Sequence, residues 1–154
     1  MASNHILATG VFDLFHVGHL RYLQYARQKG TRLIVGVTPD AICLERKGRL
    51  PVIHESQRLE IIRGLGWVYQ ADYLPGSLDY TDDAVDWITG WGIDCVIPGG
   101  DWAGSPRWQR LTSALAMRGI DVHFAPRMHG ISSSGIIAAI RARSETNAEE
   151  AEVS

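Results

Sequence analysis

Five short apolar runs, at residues 5–10, 33–37, 67–74, 94–97 and 122–125, alternate with stretches of helical period, and this alternation limits the fold more than any other feature. Leu33-Ile34-Val35-Gly36-Val37 is apolar without a break, the pattern of a parallel strand covered on both faces. The segments between, 18–29, 56–65, 79–91, 107–118 and 135–142, carry apolar residues at three- and four-residue spacing. Leu20, Leu23 and Ala26 mark the inner face of the first, Ile61, Ile62 and Leu65 of the second, and Ala84, Val85 and Ile88 of the third. Gly30, Gly92 and Gly119 are stop signals. Strand and helix in strict turn predict an α/β fold: a doubly wound five-stranded parallel sheet in a single domain. Residues 41–55 have mixed periodicity and predict no single element.

With 154 residues, 45% of them hydrophobic, the chain is long enough for one substantial core. A formal net charge of -2 excludes a general nucleic-acid binder, which needs a basic stripe, so an anionic ligand has to be met by locally placed cations. Cys43 and Cys95 lack metal-ligand spacing and read as reduced structural thiols. No apolar stretch approaches the length of a membrane span, and Met1-Ala2-Ser3-Asn4 does not open a signal peptide, so a cytoplasmic protein with no membrane partner is expected. Residues 143–154 carry Glu145, Glu149, Glu150 and Glu152 with no apolar period; an acidic tail without fixed structure is expected there, with 1–142 as the domain.

In open α/β sheets ligands bind off the carboxyl ends of the strands, and four segments follow strands in this way: 8–19, 46–49, 98–102 and 127–134. In the first, His16 and His19 flank Gly18 where a strand turns into a helix, whose free N–H groups and dipole suit an anion. Two histidines three apart also occur as unrelated polar residues or as a metal pair, but no third ligand stands at suitable spacing. Arg46-Lys47-Gly48-Arg49 reads either as a solvated face or as a lid bringing Lys47 over a polyphosphate. Gly99-Gly100-Asp101 is an ordinary turn or a close backbone approach to a ligand. Ser132, Ser133 and Ser134 are helix caps or, behind Arg127 and His129, a second anion cradle. Arg58 and Arg63 read as exposed helix residues, or as partners of Glu60 or of an acid across an interface. The first turn lacks GxGxxG, which disfavours a dehydrogenase.

Taken in order, Thr9-Gly10-Val11-Phe12-Asp13-Leu14-Phe15-His16-Val17-Gly18-His19, the Lys47 segment, Gln57-Arg58, Gly100-Asp101-Trp102 and Arg127-Met128-His129-Gly130-Ile131-Ser132-Ser133-Ser134 are the signatures of a known group. Over residues 5–142 the chain resembles the HxGH nucleotidyltransferases, in the cytidylyltransferase-like branch of glycerol-3-phosphate cytidylyltransferases and heptose-1-phosphate adenylyltransferases. The resemblance implies a Rossmann-like fold and a nucleotidyltransferase domain over 1–142. It implies transfer of CMP from CTP to a small phosphorylated acceptor, glycerol 3-phosphate-like, with release of pyrophosphate. The alternatives are an adenylyltransferase using ATP and a sugar phosphate, and an inactive nucleotide-binding regulatory module.

The same resemblance assigns catalysis to His16, His19, Lys47 and Arg127. It assigns nucleotide contacts to Thr9, Gly10, Val11, Phe12, Gly18, Gly100, Asp101, Arg127, Gly130, Ile131, Ser132 and Ser133. It implies Mg²⁺ as cofactor, carried mainly by the triphosphate with Asp101 as a candidate ligand, and a homodimer. Departures from the pattern bear on base and acceptor. Leu14 stands where several adenylyltransferases have proline, His129 where the glycerol-phosphate branch has an acid, and Gly66 near an expected arginine, while Gly99-Gly100-Asp101 and Lys47-Gly48 look more like the heptose enzymes.

Overall fold

The computed structural model describes residues 3–153. Strands β1 (Ser3–Gly10), β2 (Gly30–Val37), β3 (Gln70–Tyr73), β4 (Cys95–Val96) and β5 (Asp121–Val122) form one sheet in the order β3-β2-β1-β4-β5. All its pairings are parallel, with Ile6 opposite both Leu33 and Cys95. The helices are α1 (Val17–Arg27), α2 (Asp40–Lys47), α3 (Glu55–Arg63), α4 (Thr81–Gly90), α5 (Pro106–Ala116) and α6 (Ser133–Val153), with a short 3-10 turn at Gly100–Trp102. The expected doubly wound, Rossmann-like α/β domain is therefore present.

Alternation along β1 divides the core in two. Ile6 and Ala8 pack on one face with Tyr22, Leu23 and Ala26 of α1 and Leu59 and Ile62 of α3. Leu7 packs on the other with Ala84, Val85 and Ile88 of α4 and Trp108, Leu111 and Leu115 of α5. Chain order reverses between β1 and β4, and the loops leaving these two neighbours diverge to opposite faces, opening a crevice at their carboxyl ends.

Some elements differ from expectation. Residues 41–55 hold α2, too short for its period to stand out. In α3 the inward stripe is Arg58, Leu59 and Ile62, leaving Ile61 40% exposed. β3 is four residues, β4 and β5 two each, and Trp67 and Val68 pack on the core from outside the strand. The last helix continues through the acidic stretch to Val153, where alanine, glutamate and arginine favour helix with every side chain from Arg141 onward exposed. No helix among the described residues is long and apolar enough to cross a membrane.

Candidate active site

After Gly10 the chain leaves β1 through a turn in which two non-glycine residues, Phe12 (φ 56) and Leu14 (φ 51), are left-handed. Such residues cost about 1 kcal/mol or more each and persist only where their surroundings hold them. Here four contacts do so. The Phe12 ring is buried edge-on to His19 and parallel to Tyr22. The Asp13 carboxylate accepts N–H bonds from Val52 (2.8 Å) and Ile53 (2.9 Å). Ser133 Oγ donates to the Asp13 carbonyl at 2.6 Å, and Arg58 Nη1 donates to the Val11 carbonyl at 2.6 Å. Proline, with φ locked at about −65°, does not fit this backbone at position 14.

His16 is the N-cap of α1, and the two imidazoles complete a capping box. His16 Nδ1 accepts from the Gly18 N–H at 3.0 Å, and His19 Nδ1 accepts from the His16 N–H at 3.3 Å. Both neutral rings thus carry their proton on Nε2, leaving two N–H donors free of the backbone. The rings stack at 3.8 Å. Gly18 makes room for them: a Cβ there would stand 2.8 Å from His16 Cε1. Burial, and then the neighbouring His16, push the His19 pKa down to about 4 against a smaller opposing pull from Asp13. Burial also lowers that of His16. At neutral pH the pair offers hydrogen bonds rather than charge.

This shift carries a sign for stability. The unfolded His19 binds a proton near pH 6.5 and the folded one only near 4, so stability from the neutral ring is complete above pH 6.5 and is lost as pH falls toward 4. Melting temperature of wild type minus His19→Gln, measured by calorimetry, is expected to be flat above pH 7 and to decline below pH 6.5. A difference that stays level down to pH 4.5 would sink this account.

The crevice has a volume of about 670 Å³ and receives Thr9, Gly10, Val11, Phe12, His19, Lys47, Asp101 and Ser133 of the residues assigned from the sequence. Its lining holds five cations, Arg46, Lys47, Arg49, Arg107 and Arg141, against the carboxylates of Asp13 and Asp101, reversing locally the sign of the whole chain. Such a surface attracts an anion. A second hollow, about 530 Å³, lies at the amino ends of the strands, but its His5 and Arg32 are occupied with Tyr69 and with each other.

The remaining assigned residues surround the crevice without lining it. Ser132 caps α6 by accepting the Gly135 N–H at 3.0 Å, leaving Ser133 and Ser134 on the crevice wall. Gly130 makes the preceding turn with φ 86, and Ile131 approaches the Gly18 backbone. Gly100 allows a backbone approach, but to protein: a Cβ there would meet the Ala125 carbonyl oxygen at 2.3 Å. Arg127 Nε is bonded to Asp101 at 2.9 Å in an exposed pair.

The donor set does not fit a protein-built magnesium site. Asp101 is engaged by Arg127 and Asp13 by two backbone N–H groups. Among the described residues the one cluster with metal-ligand geometry is Asp40, His54 and Glu55, outside the crevice lining, and there Asp40 is paired with Arg58.

Several residues that shape the site escaped the sequence reading. Arg58, expected exposed or paired with Glu60, is fully buried and bonded to Asp40. Tyr22 accepts the Thr9 N–H at 3.2 Å and donates to the Ile97 carbonyl, tying the ends of β1 and β4 together. Asp13 and Arg107 complete the set. An acid inside the apolar Phe12–Phe15 turn is a signal for Asp13, and Arg58 stands in the Gln57-Arg58 signature; nothing local marks Tyr22 or Arg107.

Residues 7–139 match the family model described as Cytidylyltransferase-like. The chain is 31% identical over 151 residues to the bifunctional protein HldE of Halorhodospira halophila, covering 90% of this chain and 28% of that protein. It is 42% identical over 77 residues to the FAD synthase of Thermococcus onnurineus, 49% of this chain and 51% of the relative. The solved lipopolysaccharide core biosynthesis protein of Thermoplasma volcanium superposes with a TM-score of 0.65 at 27% identity, over 84% of this chain and 99% of that one. The chain thus spans less than a third of HldE and about half of the FAD synthase. A family match over most of the length, on a five-stranded parallel sheet of the expected kind, makes the chain a member of the cytidylyltransferase-like family of nucleotidyltransferases.

Proposed function

We propose that the protein transfers a nucleoside monophosphate from a nucleoside triphosphate to a small phosphorylated acceptor. An oxygen of the acceptor phosphate forms the bond to the α-phosphorus, the bond to the β-bridging oxygen breaks, and pyrophosphate leaves with its electron pair. The observation that carries this reading is the joining of two phosphate-suited helix starts: Ser133 at the head of α6 donates to Asp13 in the turn that presents the His16–His19 pair. The imidazole Nε2–H groups donate to triphosphate oxygens, with His19 on the α-phosphoryl group. The Ser132 hydroxyl and the backbone N–H groups at the α6 start, that of Ser133 included, hold the β- and γ-phosphates. Lys47, ending α2 beside the crevice, supplies charge between triphosphate and acceptor phosphate. Catalysis of this kind is positioning and charge neutralisation, without a protein nucleophile. Mg²⁺ enters as part of the triphosphate substrate.

The base is the finer part of the proposal. The Arg127–Ser134 segment favours CTP. The likeness to an FAD synthase, whose product is an adenylyl conjugate of a flavin phosphate, favours ATP, and so does Gly99-Gly100-Asp101. Pyrophosphate release is measured with each of the four nucleoside triphosphates against polyol and sugar phosphates. Turnover with CTP and not ATP supports the cytidylyl assignment, the reverse the adenylyl one, and no release with any pair rejects transfer in favour of a regulatory nucleotide-binding module.

A further inference from the structure

The wall of the crevice opposite the histidines contains a charge arrangement that triphosphate binding does not use. Arg107 lies in the first turn of α5 and is only 7% exposed, although the positive end of a helix disfavours a cation. Among the described residues its one hydrogen bond is from Nε to Asp79 Oδ1 at 2.7 Å, and Nη2 is buried without a partner. Asp79 does not belong to Arg107 alone: Arg46 Nε takes its other oxygen at 2.8 Å. Two guanidinium groups therefore share one carboxylate, leaving a net positive charge. Trp102 lies across both, its ring 4.7 Å from the Arg107 carbon and 5.6 Å from that of Arg46. Arg46, Trp102 and Arg107 all line the crevice, beside Ser77 and Leu78.

Leaving a buried donor unsatisfied is costly, and more so when it is positively charged. Packing does not require it: leucine or methionine would fill the same place beneath Trp102. What the arrangement suits is an anionic oxygen arriving from the crevice. That oxygen does not belong to the triphosphate, because α1 and α5 lie on opposite faces of the sheet. Nor is it needed for the reacting phosphate, which must sit with Lys47 and His19 for in-line attack. It lies at the remote end of the acceptor.

We propose that Arg107, clamped with Arg46 by Asp79 beneath Trp102, selects a phosphorylated acceptor bearing a second anionic group, a carboxylate or a second phosphate. The proposal rests on the nucleotidyl-transfer reading and is a specificity role, distinct from the chemical step. Asp79 orients both forks; the Arg107 hydrogen bond first of all holds its carboxyl below the usual range, so it stays ionised at neutral pH.

Calorimetric titration tests this without requiring turnover. Two matched pairs of probes are used, with and without an α,β-methylene analogue of CTP or ATP: 3-phosphoglycerate against glycerol 3-phosphate, and propane-1,3-diol bisphosphate against propyl phosphate. The first pair reports a carboxylate and the second a phosphate. In at least one pair the doubly anionic ligand is expected to bind tenfold tighter or better. The ratio should approach one in Arg107→Gln and fall strongly in Arg107→Lys, which keeps the charge and loses the fork. Arg49→Gln, which removes a crevice cation that is not paired with Asp79, should weaken all four ligands and leave the ratios. Equal affinities in the wild type overturn the proposal, as do ratios that survive Arg107→Gln or collapse equally in Arg49→Gln. Pyrophosphate release in parallel samples separates the two readings. Preference without turnover with any triphosphate rejects transfer and keeps the anion receptor; turnover without preference does the opposite.

Discussion

His19→Ala is expected to lower kcat by about 10²–10³-fold, the cost of removing one well-placed donor to transition-state charge, while the Kd for nucleoside triphosphate changes by less than about tenfold. The asymmetry comes from where charge develops. In the proposed reaction the ground-state triphosphate meets many donors, including the backbone N–H groups at the α6 start, so one imidazole is a small part of the total. At the transition state charge moves onto oxygens around the α-phosphorus, and a fixed N–H aimed there gains strength without having to reorganise. His19 is suited to this because its Nδ1 is committed to the His16 N–H and its ring is packed against Phe12 and Phe15, so its Nε2–H direction is held before substrate arrives. Removing it also opens the capping box, worth about 1 kcal/mol, so a modest fall in melting temperature accompanies the effect. Rapid-quench single turnovers and equilibrium binding on the same variant decide the matter. Equal losses in rate and affinity would reduce His19 to a binding residue.

The neutral state of the pair has a consequence for how the work is divided. If both imidazoles were charged, histidine could neutralise the triphosphate; lowered by burial, they cannot do so alone. In the proposed reaction neutralisation falls to Lys47, Arg49 and Arg141, the crevice cations outside the Asp79 clamp. The hydrogen bonds and the charges thus come from different segments, the former from the turn after β1 and the latter from the end of α2, the loop after it and α6.

What could be read from the sequence and what could not differ in physical kind. The alternation of unbroken apolar runs with helical stripes is local, so the parallel sheet and most helices were legible. His16-Val17-Gly18-His19 was legible because a glycine between histidines at a strand-to-helix junction has few structural uses, and Gly18 proves to be the residue without which the His16 ring would have no room. Arg58 was not legible. Its spacing on α3 fits an exposed face, and only the meeting of three loops over it makes it buried. The same holds for Arg107, whose partner Asp79 comes from the far side of α4. Gly100 was read as a point of approach and is one, but the approaching atoms are the backbone at Ala125 to Arg127. Sequence pattern reports faces and breaks; it does not report which loop covers which.

Arg58→Met is the substitution expected to cost the fold most. The guanidinium is completely buried and donates to carbonyls of Val11 (2.6 Å), Thr38 (2.8 Å) and Ile53 (2.9 Å) and to Asp40 Oδ1 (2.6 Å). Those acceptors leave β1, leave β2, precede α3 and begin α2, so one side chain joins the segments that form one end of the crevice. Methionine occupies similar space yet strands three carbonyls and a carboxylate that is 17% exposed. Breaking a buried pair by deleting one partner typically costs about 3–5 kcal/mol, which for a domain of this size lowers the melting temperature by on the order of 10 °C. Arg58→Lys should recover only part, since a single ammonium cannot span four acceptors. Adding Asp40→Asn to Arg58→Met should cost less than the two separate losses together, because a neutral amide leaves no carboxylate in need of a cation. A single variant melting within about 2 °C of wild type would mean that the three carbonyls find other donors and that the loops do not depend on Arg58. The expected result instead couples stability to chemistry: displacing the Val11 carbonyl loosens the left-handed turn at Phe12 and Leu14, and with it the orientation of His19, so kcat falls in a variant altered outside the crevice lining.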